Sequence, residues 1–162
     1  ATRVAPTRTA GLPKSVIHLA TTSEPTWMRL EWTGQLDDRM VRVDLVAVWG
    51  VELALFIEAK VDAEESSGQM QNYAKVLSQE FATIARDHRL LVFLTPTGRP
   101  PKSIKATPNA KVHAVSWLSI TEAFAREYAA QSAHNPLLLR LLQDFVRLMS
   151  SIAKRPRSAS KR

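Results

Sequence analysis

Met40-Val-Arg-Val-Asp-Leu-Val-Ala-Val-Trp49, then Gly50-Val-Glu52, then Leu53-Ala-Leu-Phe-Ile-Glu-Ala-Lys-Val61 is the stretch that decides the fold. Both long runs are rich in β-branched and aromatic residues and Gly50 separates them, which reads as two strands joined by a tight turn. The second run is apolar on both faces at its start, as a strand in the middle of a covered sheet must be. Upstream, Met28–Gln35 (MRLEWTGQ) alternates moderately and stops near Gly34, and Leu36-Asp37-Asp38-Arg39 is a polar turn. Together the three runs predict an antiparallel meander.

Downstream, Met70, Tyr73, Ala74, Leu77, Phe81, Ile84 and Ala85 recur at helical spacing and predict a helix from about Ser66 to Arg86. Leu90–Leu94 and Lys111–Trp117 predict two more strands. Ser119 with Glu122 three residues later has capping-box spacing and opens a helix to about Ala130. Asn135-Pro136 opens a last helix to about Ile152. The order β-β-β-α-β-β-α-α, with a parallel crossover around the first helix, predicts an α/β fold: a mixed sheet flanked by helices. On the last helix Leu137, Leu138, Leu141, Leu142, Phe145, Leu148, Met149 and Ile152 make a wide apolar stripe. It reads as core, with burial against a second subunit in a homodimer as the alternative.

Of 162 residues, 22 are Lys or Arg and 15 are Asp or Glu, for a formal charge of +7. The excess sits at the ends. Residues 1–14 and 151–162 carry eight basic groups and no acid, and 15–150 holds 14 basic against 15 acidic groups. The expected organisation is a basic N-terminal segment over 1–24, a folded domain over 25–152 and a basic tail over 153–162. Such ends are either solvated, solubilising segments or sources of nonspecific affinity for nucleic acid. There is no cysteine, which excludes a disulfide scaffold, a thiolate zinc site and a Cys nucleophile. No apolar run approaches the roughly 20 residues that span a bilayer, so the expected setting is soluble and cytoplasmic, without a membrane partner. The four histidines show no ligand spacing, and neither a Gly-rich phosphate loop nor a G-x-S-x-G elbow is present.

The chemistry lies on the two strongest strands. Asp44 interrupts an apolar run, and Glu58 and Lys60 end the next one. Side chains alternate along a strand, so Glu58 and Lys60 share a face, and a hairpin places Asp44 beside Glu58. Two carboxylates and an ammonium in an apolar hairpin are costly unless paired. An ordinary ion pair through Lys60 is one solution. A hard divalent cation is another, because Mg²⁺ prefers carboxylates, carbonyl oxygen and water; the lysine then orients a water or stabilises charge at phosphorus.

Arg42-Val-Asp44-Leu, Phe56-Ile-Glu58-Ala-Lys60 and Gln69-Met-Gln-Asn-Tyr73, in that order, resemble the PD-(D/E)XK nuclease superfamily. Its members set a strand Asp before a Glu-x-Lys and then a helix, which in many subfamilies carries Gln-x-x-x-Tyr. Phe93-Leu94-Thr95-Pro96 and Trp117-Leu-Ser-Ile are similar to later parts of the same core, and the likeness covers roughly residues 28–130. The resemblance implies a restriction-endonuclease-like fold and Mg²⁺ or Mn²⁺ held by Asp44, Glu58 and the backbone carbonyl of Ala59. It makes Lys60 the catalytic lysine, with Gln69 and Tyr73 holding the scissile phosphate or orienting Lys60. Many members also begin with a long helix that donates a further acid. Residues 1–27 contain three prolines and room for two helical turns at most, over Ser15–Thr22. Either that helix is absent from this sequence or Glu24 or Glu31 replaces its acid, Glu31 on the first strand being preferred.

Between Pro96 and Lys111 four cations, Arg99, Lys102, Lys105 and Lys111, occur with no acid. This loop is expected to touch phosphates beside the site, against the simpler reading of a solvated surface loop. The function expected is metal-dependent hydrolysis of nucleic acid, DNA favoured, by attack of an activated water. The alternative is a non-catalytic domain of the same fold that binds nucleic acid or protein.

Overall fold

A computed structural model of the chain describes residues 18–20, 22–61, 65–104, 107–131 and 136–154. The basic segment 1–14, Lys105 and the basic residues from Arg155 onward lie outside the described residues.

Five strands form one sheet in sequence order: β1 (Trp27–Leu36), β2 (Arg39–Trp49), β3 (Leu53–Ala59), β4 (Arg89–Thr95) and β5 (Lys111–Ser116). β1, β2 and β3 are the expected antiparallel meander. The turns between them are two or three residues long, enough to reverse the chain and too short for a crossover. Helix α1 (Gln69–Glu80) follows β3 and returns the chain, so that β4 lies parallel to β3; β5 in turn lies parallel to β4. Two helices, α2 (Trp117–Gln131) and α3 (Pro136–Lys154), complete the mixed sheet flanked by helices.

The core lies between α1 and one face of the sheet. Met70, Tyr73, Ala74, Val76 and Leu77 of α1 close over Val43, Val46, Ala54, Phe56, Leu91 and Phe93. Three partly buried rings pack against this core around Phe56, which stands 5.3 Å from Trp32 and 5.9 Å, edge-on, from Phe81, while Phe81 lies 6.2 Å from Trp27. Such offset and edge-to-face pairs are favoured by the ring quadrupoles. Gly34 is required by this packing, since a Cβ there would lie 2.4 Å from the Trp32 ring and 2.7 Å from Val76. The opposite face has a smaller cluster of Leu53 and Leu90, joined by Leu19, Trp49 and Leu55.

Three expectations are corrected by the structure. Helix α1 ends at Glu80 rather than Arg86, because Phe81 leaves helical geometry; Ile84 still reaches the core, from the turn that follows. The cap of α2 is Ser116 and not Ser119: the Ser116 hydroxyl accepts the Ser119 N–H at 3.0 Å, so the helix starts at Trp117. The stripe on α3 is not wholly core. Leu141, Phe145 and Leu148 are exposed, although Phe145 meets Trp117 edge-on at 6.4 Å.

β1 and β2 carry a break that alternation does not foresee. Val43 and Val46, three residues apart, both face α1, which a regular strand forbids. The ladder pairs Leu30 with Leu45 and Trp32 with Val43, and skips the opposed Glu31 and Asp44. Glu31 sits there at φ 47°, a left-handed conformation that costs a non-glycine residue about 1–3 kcal/mol.

Candidate functional site

Asp44, at the break in β2, turns to β3. The β2–β3 ladder ends at the pair Leu45 and Ile57, and the Asp44 carboxylate takes the next available donor, the Ala59 N–H, at 2.8 Å. Glu58 follows Ala54 and Phe56 on the face of β3 covered by α1, which leaves it 2% exposed. Lys60, two residues on, shares that face. Its ammonium lies 2.6 Å from Glu58 Oε1, and its backbone N–H donates to the Leu94 carbonyl, so the alignment with β4 extends one residue past the strand.

From α1, Gln69 and Tyr73 one turn later reach the same place. The Gln69 amide donates to Glu58 Oε1 at 2.8 Å and to the Tyr73 hydroxyl at 2.7 Å. The Tyr73 hydroxyl donates to the Arg42 carbonyl at 2.7 Å. A chain of hydrogen bonds thus runs from the backbone of β2, two residues before Asp44, through α1 to Glu58 on β3. Burial, with the neighbouring negative charges of Glu58 and Asp44 adding to it, holds the Tyr73 phenol well above its ordinary 10.0, although the Gln69 bond opposes the shift.

Tyr73→Phe is therefore expected to cost about 1–3 kcal/mol, because it leaves the part-buried Gln69 amide and the Arg42 carbonyl short of a partner. The loss has a pH signature. The folded phenol titrates above the unfolded value of 10.0, so its contribution is complete below pH 10 and is lost as pH rises beyond it. Denaturant unfolding of the two proteins at neutral pH and above pH 10 should show their difference shrinking; a constant difference would disprove the linkage.

Glu58 Oε2 stands apart from Oε1 of the same carboxylate. Oε1 is shared by Lys60 and Gln69, yet Oε2 is buried and has no hydrogen-bond partner among the described residues. A buried carboxylate oxygen without a donor is rare and costly.

Asp44, Glu58, Ala59, Lys60, Gln69 and Tyr73 are thus brought together. Glu31 is not. Its side chain is 74% exposed, and its carboxylate lies 4.0 Å from the Arg42 guanidinium. Of the four loop cations Lys105 lies outside the described residues, and Arg99 and Lys111 are separated. A parallel connection must run from the end of β4 back to the start of β5, so the loop travels the length of the sheet. Lys111 consequently stands opposite Leu90 at the far end, 3.4 Å from Asp87, whereas Arg99 stands at the Glu58 end.

One residue with a part in this region has no signal in the sequence. Glu65 accepts the backbone N–H groups of Lys102 and Ser103 and the Ser103 hydroxyl, while Gln71 donates to the Ser103 carbonyl at 2.8 Å. These contacts tie the loop after β4 to the approach to α1.

No described helix is long and apolar enough to cross a membrane. No curated protein and no solved structure matches the chain. A family model described as the PD-(D/E)XK nuclease superfamily matches residues 17–147. That span includes every strand of the sheet, both carboxylates and the Glu-x-Lys pair, and the chain belongs to the PD-(D/E)XK nuclease superfamily.

Proposed function

We propose that the chain hydrolyses phosphodiester bonds of nucleic acid, DNA favoured, with a divalent cation at the Asp44–Glu58 end of β2 and β3. The observation that carries this reading is Glu58 Oε2, a buried carboxylate oxygen with no donor beside an aspartate on the neighbouring strand. Among the described residues no third acid or histidine joins these two as a cluster of ligands. Two carboxylates with the Ala59 carbonyl suit Mg²⁺ or Mn²⁺, since Mg²⁺ keeps several waters and binds through one or two carboxylates and substrate phosphate. When bound, such an ion supplies Lewis acidity, lowering the pKa of water and offsetting charge on the phosphate oxygens.

The remaining roles fall to the chain. Glu58 holds the Lys60 ammonium at 2.6 Å, where it neutralises charge that develops at phosphorus. Gln69 fixes the Glu58 carboxylate by occupying Oε1, which leaves Oε2 for the ion. Tyr73 acts through Gln69 and the Arg42 carbonyl as a positioning residue, keeping β2 and β3 in the alignment the site needs. Glu31 stays outside the ligand set because its exposed carboxylate is beside Arg42.

The test is incubation of labelled single- and double-stranded DNA and RNA with Mg²⁺, Mn²⁺ or EDTA. Cleavage of DNA that needs the metal and falls about a hundredfold or more in Lys60→Ala is expected. Failure to cut any of the four polymers would overturn the catalytic reading and leave a binding domain of this fold.

A further inference from the structure

The loop after β4 is built around one guanidinium. Thr95-Pro96-Thr97-Gly98 makes a turn closed by the Gly98 N–H on the Thr95 carbonyl. Proline at its second position and glycine at its fourth are the residues such a turn favours. Gly98 lies at φ 71°, and a Cβ there would sit 3.2 Å from Ser116, so no larger residue fits without displacement. The Thr95 hydroxyl, on a residue with no solvent exposure, accepts the Arg99 N–H at 3.0 Å. The turn therefore sends Arg99 back over the strand it has just left.

Arg99 comes to rest with its guanidinium carbon 5.5 Å from the centre of the Phe93 ring. Phe93 is the β4 partner of Glu58, and both side chains face α1, so the guanidinium lies one strand across from the proposed metal site. No carboxylate among the described residues pairs with Arg99. Stacking on a ring pre-organises a guanidinium while leaving its N–H edge for an anion. Three residues further on, Glu65 grips the backbone at Lys102 and Ser103 and Gln71 grips the Ser103 carbonyl, which fixes the far side of the loop.

We propose that Arg99 anchors a backbone phosphate flanking the scissile one, and that Thr95 and Glu65 are the positioning residues that hold it there. This assignment rests on the nucleic-acid reading above and names one of its contacts. It separates Arg99 from Lys111, whose partner is Asp87 at the other end of the sheet.

Binding of a fluorescein-labelled oligonucleotide, single-stranded and as a duplex, is measured against salt in EDTA and in Ca²⁺. Arg99→Gln should weaken binding roughly tenfold and lower the salt slope by about 0.9 for the duplex or 0.7 for the single strand. Arg99→Lys should recover the slope but not the full affinity, because an ammonium cannot stack and fork as a guanidinium does. Glu65→Ala should weaken binding in the parent protein and have no further effect in the Arg99→Gln background. A slope unchanged by Arg99→Gln in a protein that binds would overturn the anchor alone. Effects of Glu65→Ala and Arg99→Gln that simply add would overturn the positioning role. A parent protein that binds neither form under either condition would bring down the nucleic-acid reading itself, and the anchor with it.

Discussion

Glu58→Gln is expected to reduce metal-dependent cleavage by at least about a thousandfold, or roughly 4 kcal/mol of transition-state stabilisation. The substitution is nearly isosteric, so the effect is chemical. Glutamine puts an NH₂ group or a neutral oxygen where the proposed cation needs a charged one, at an atom that is buried and unpartnered. It also leaves the Lys60 ammonium, 14% exposed, without its carboxylate. Removing one member of a buried pair typically destabilises by about 3–5 kcal/mol, so activity has to be compared at a temperature where circular dichroism shows the variant folded. A companion variant separates the two effects. Glu58→Gln with Lys60→Met removes both charges, and exchange of a buried pair for uncharged groups is often neutral or stabilising. It should melt above the single variant and be equally inactive. Cleavage by folded Glu58→Gln within tenfold of the parent would remove Glu58 from the site.

Phe56→Ala, two residues earlier on the same face of β3, should lower unfolding free energy by about 3–5 kcal/mol. Phe56 has no solvent exposure and stands between Trp32 and Phe81, rings contributed by β1 and by the end of α1. Its loss opens a cavity that three aromatic rings and a central strand are poorly able to close. Phe56→Leu, which keeps most of the volume, should lose much less. Denaturant unfolding gives the comparison, with the midpoint shifting and the slope unchanged. A loss below about 1 kcal/mol would show that the rings around Phe56 do not hold the core together.

What the sequence makes legible follows from what depends on local pattern. β2 and β3 were readable because β-branched runs and a glycine between them leave few alternatives, and the shared face of Glu58 and Lys60 follows from alternation alone. Asp44 was readable as a misfit in an apolar strand. The break in the ladder beside it is not, because nothing about glutamate in a strand announces the left-handed backbone at Glu31. The end of α1 is not legible, because Ile84 keeps helical spacing although a turn delivers it to the core. Arg99 and Lys111 stand at opposite ends of the sheet because a parallel connection must cross it, which proximity in sequence does not reveal. Glu65 has no sequence signal because its partners, two backbone N–H groups and the Ser103 hydroxyl, lie 37 and 38 residues away.

The left-handed Glu31 also has a consequence for how molecules of this protein meet. β1 is an edge strand, with one row of backbone donors and acceptors unpaired by any other strand among the described residues, and Met28 and Leu30 along it are exposed. A straight, apolar edge of that kind is a template for strand addition by another chain and for aggregation. The reversal of backbone hand at Glu31 divides the edge into two short runs, 27–30 and 32–36, that no single incoming strand can follow in register. The distortion opposite Asp44 therefore also guards this edge against strand addition.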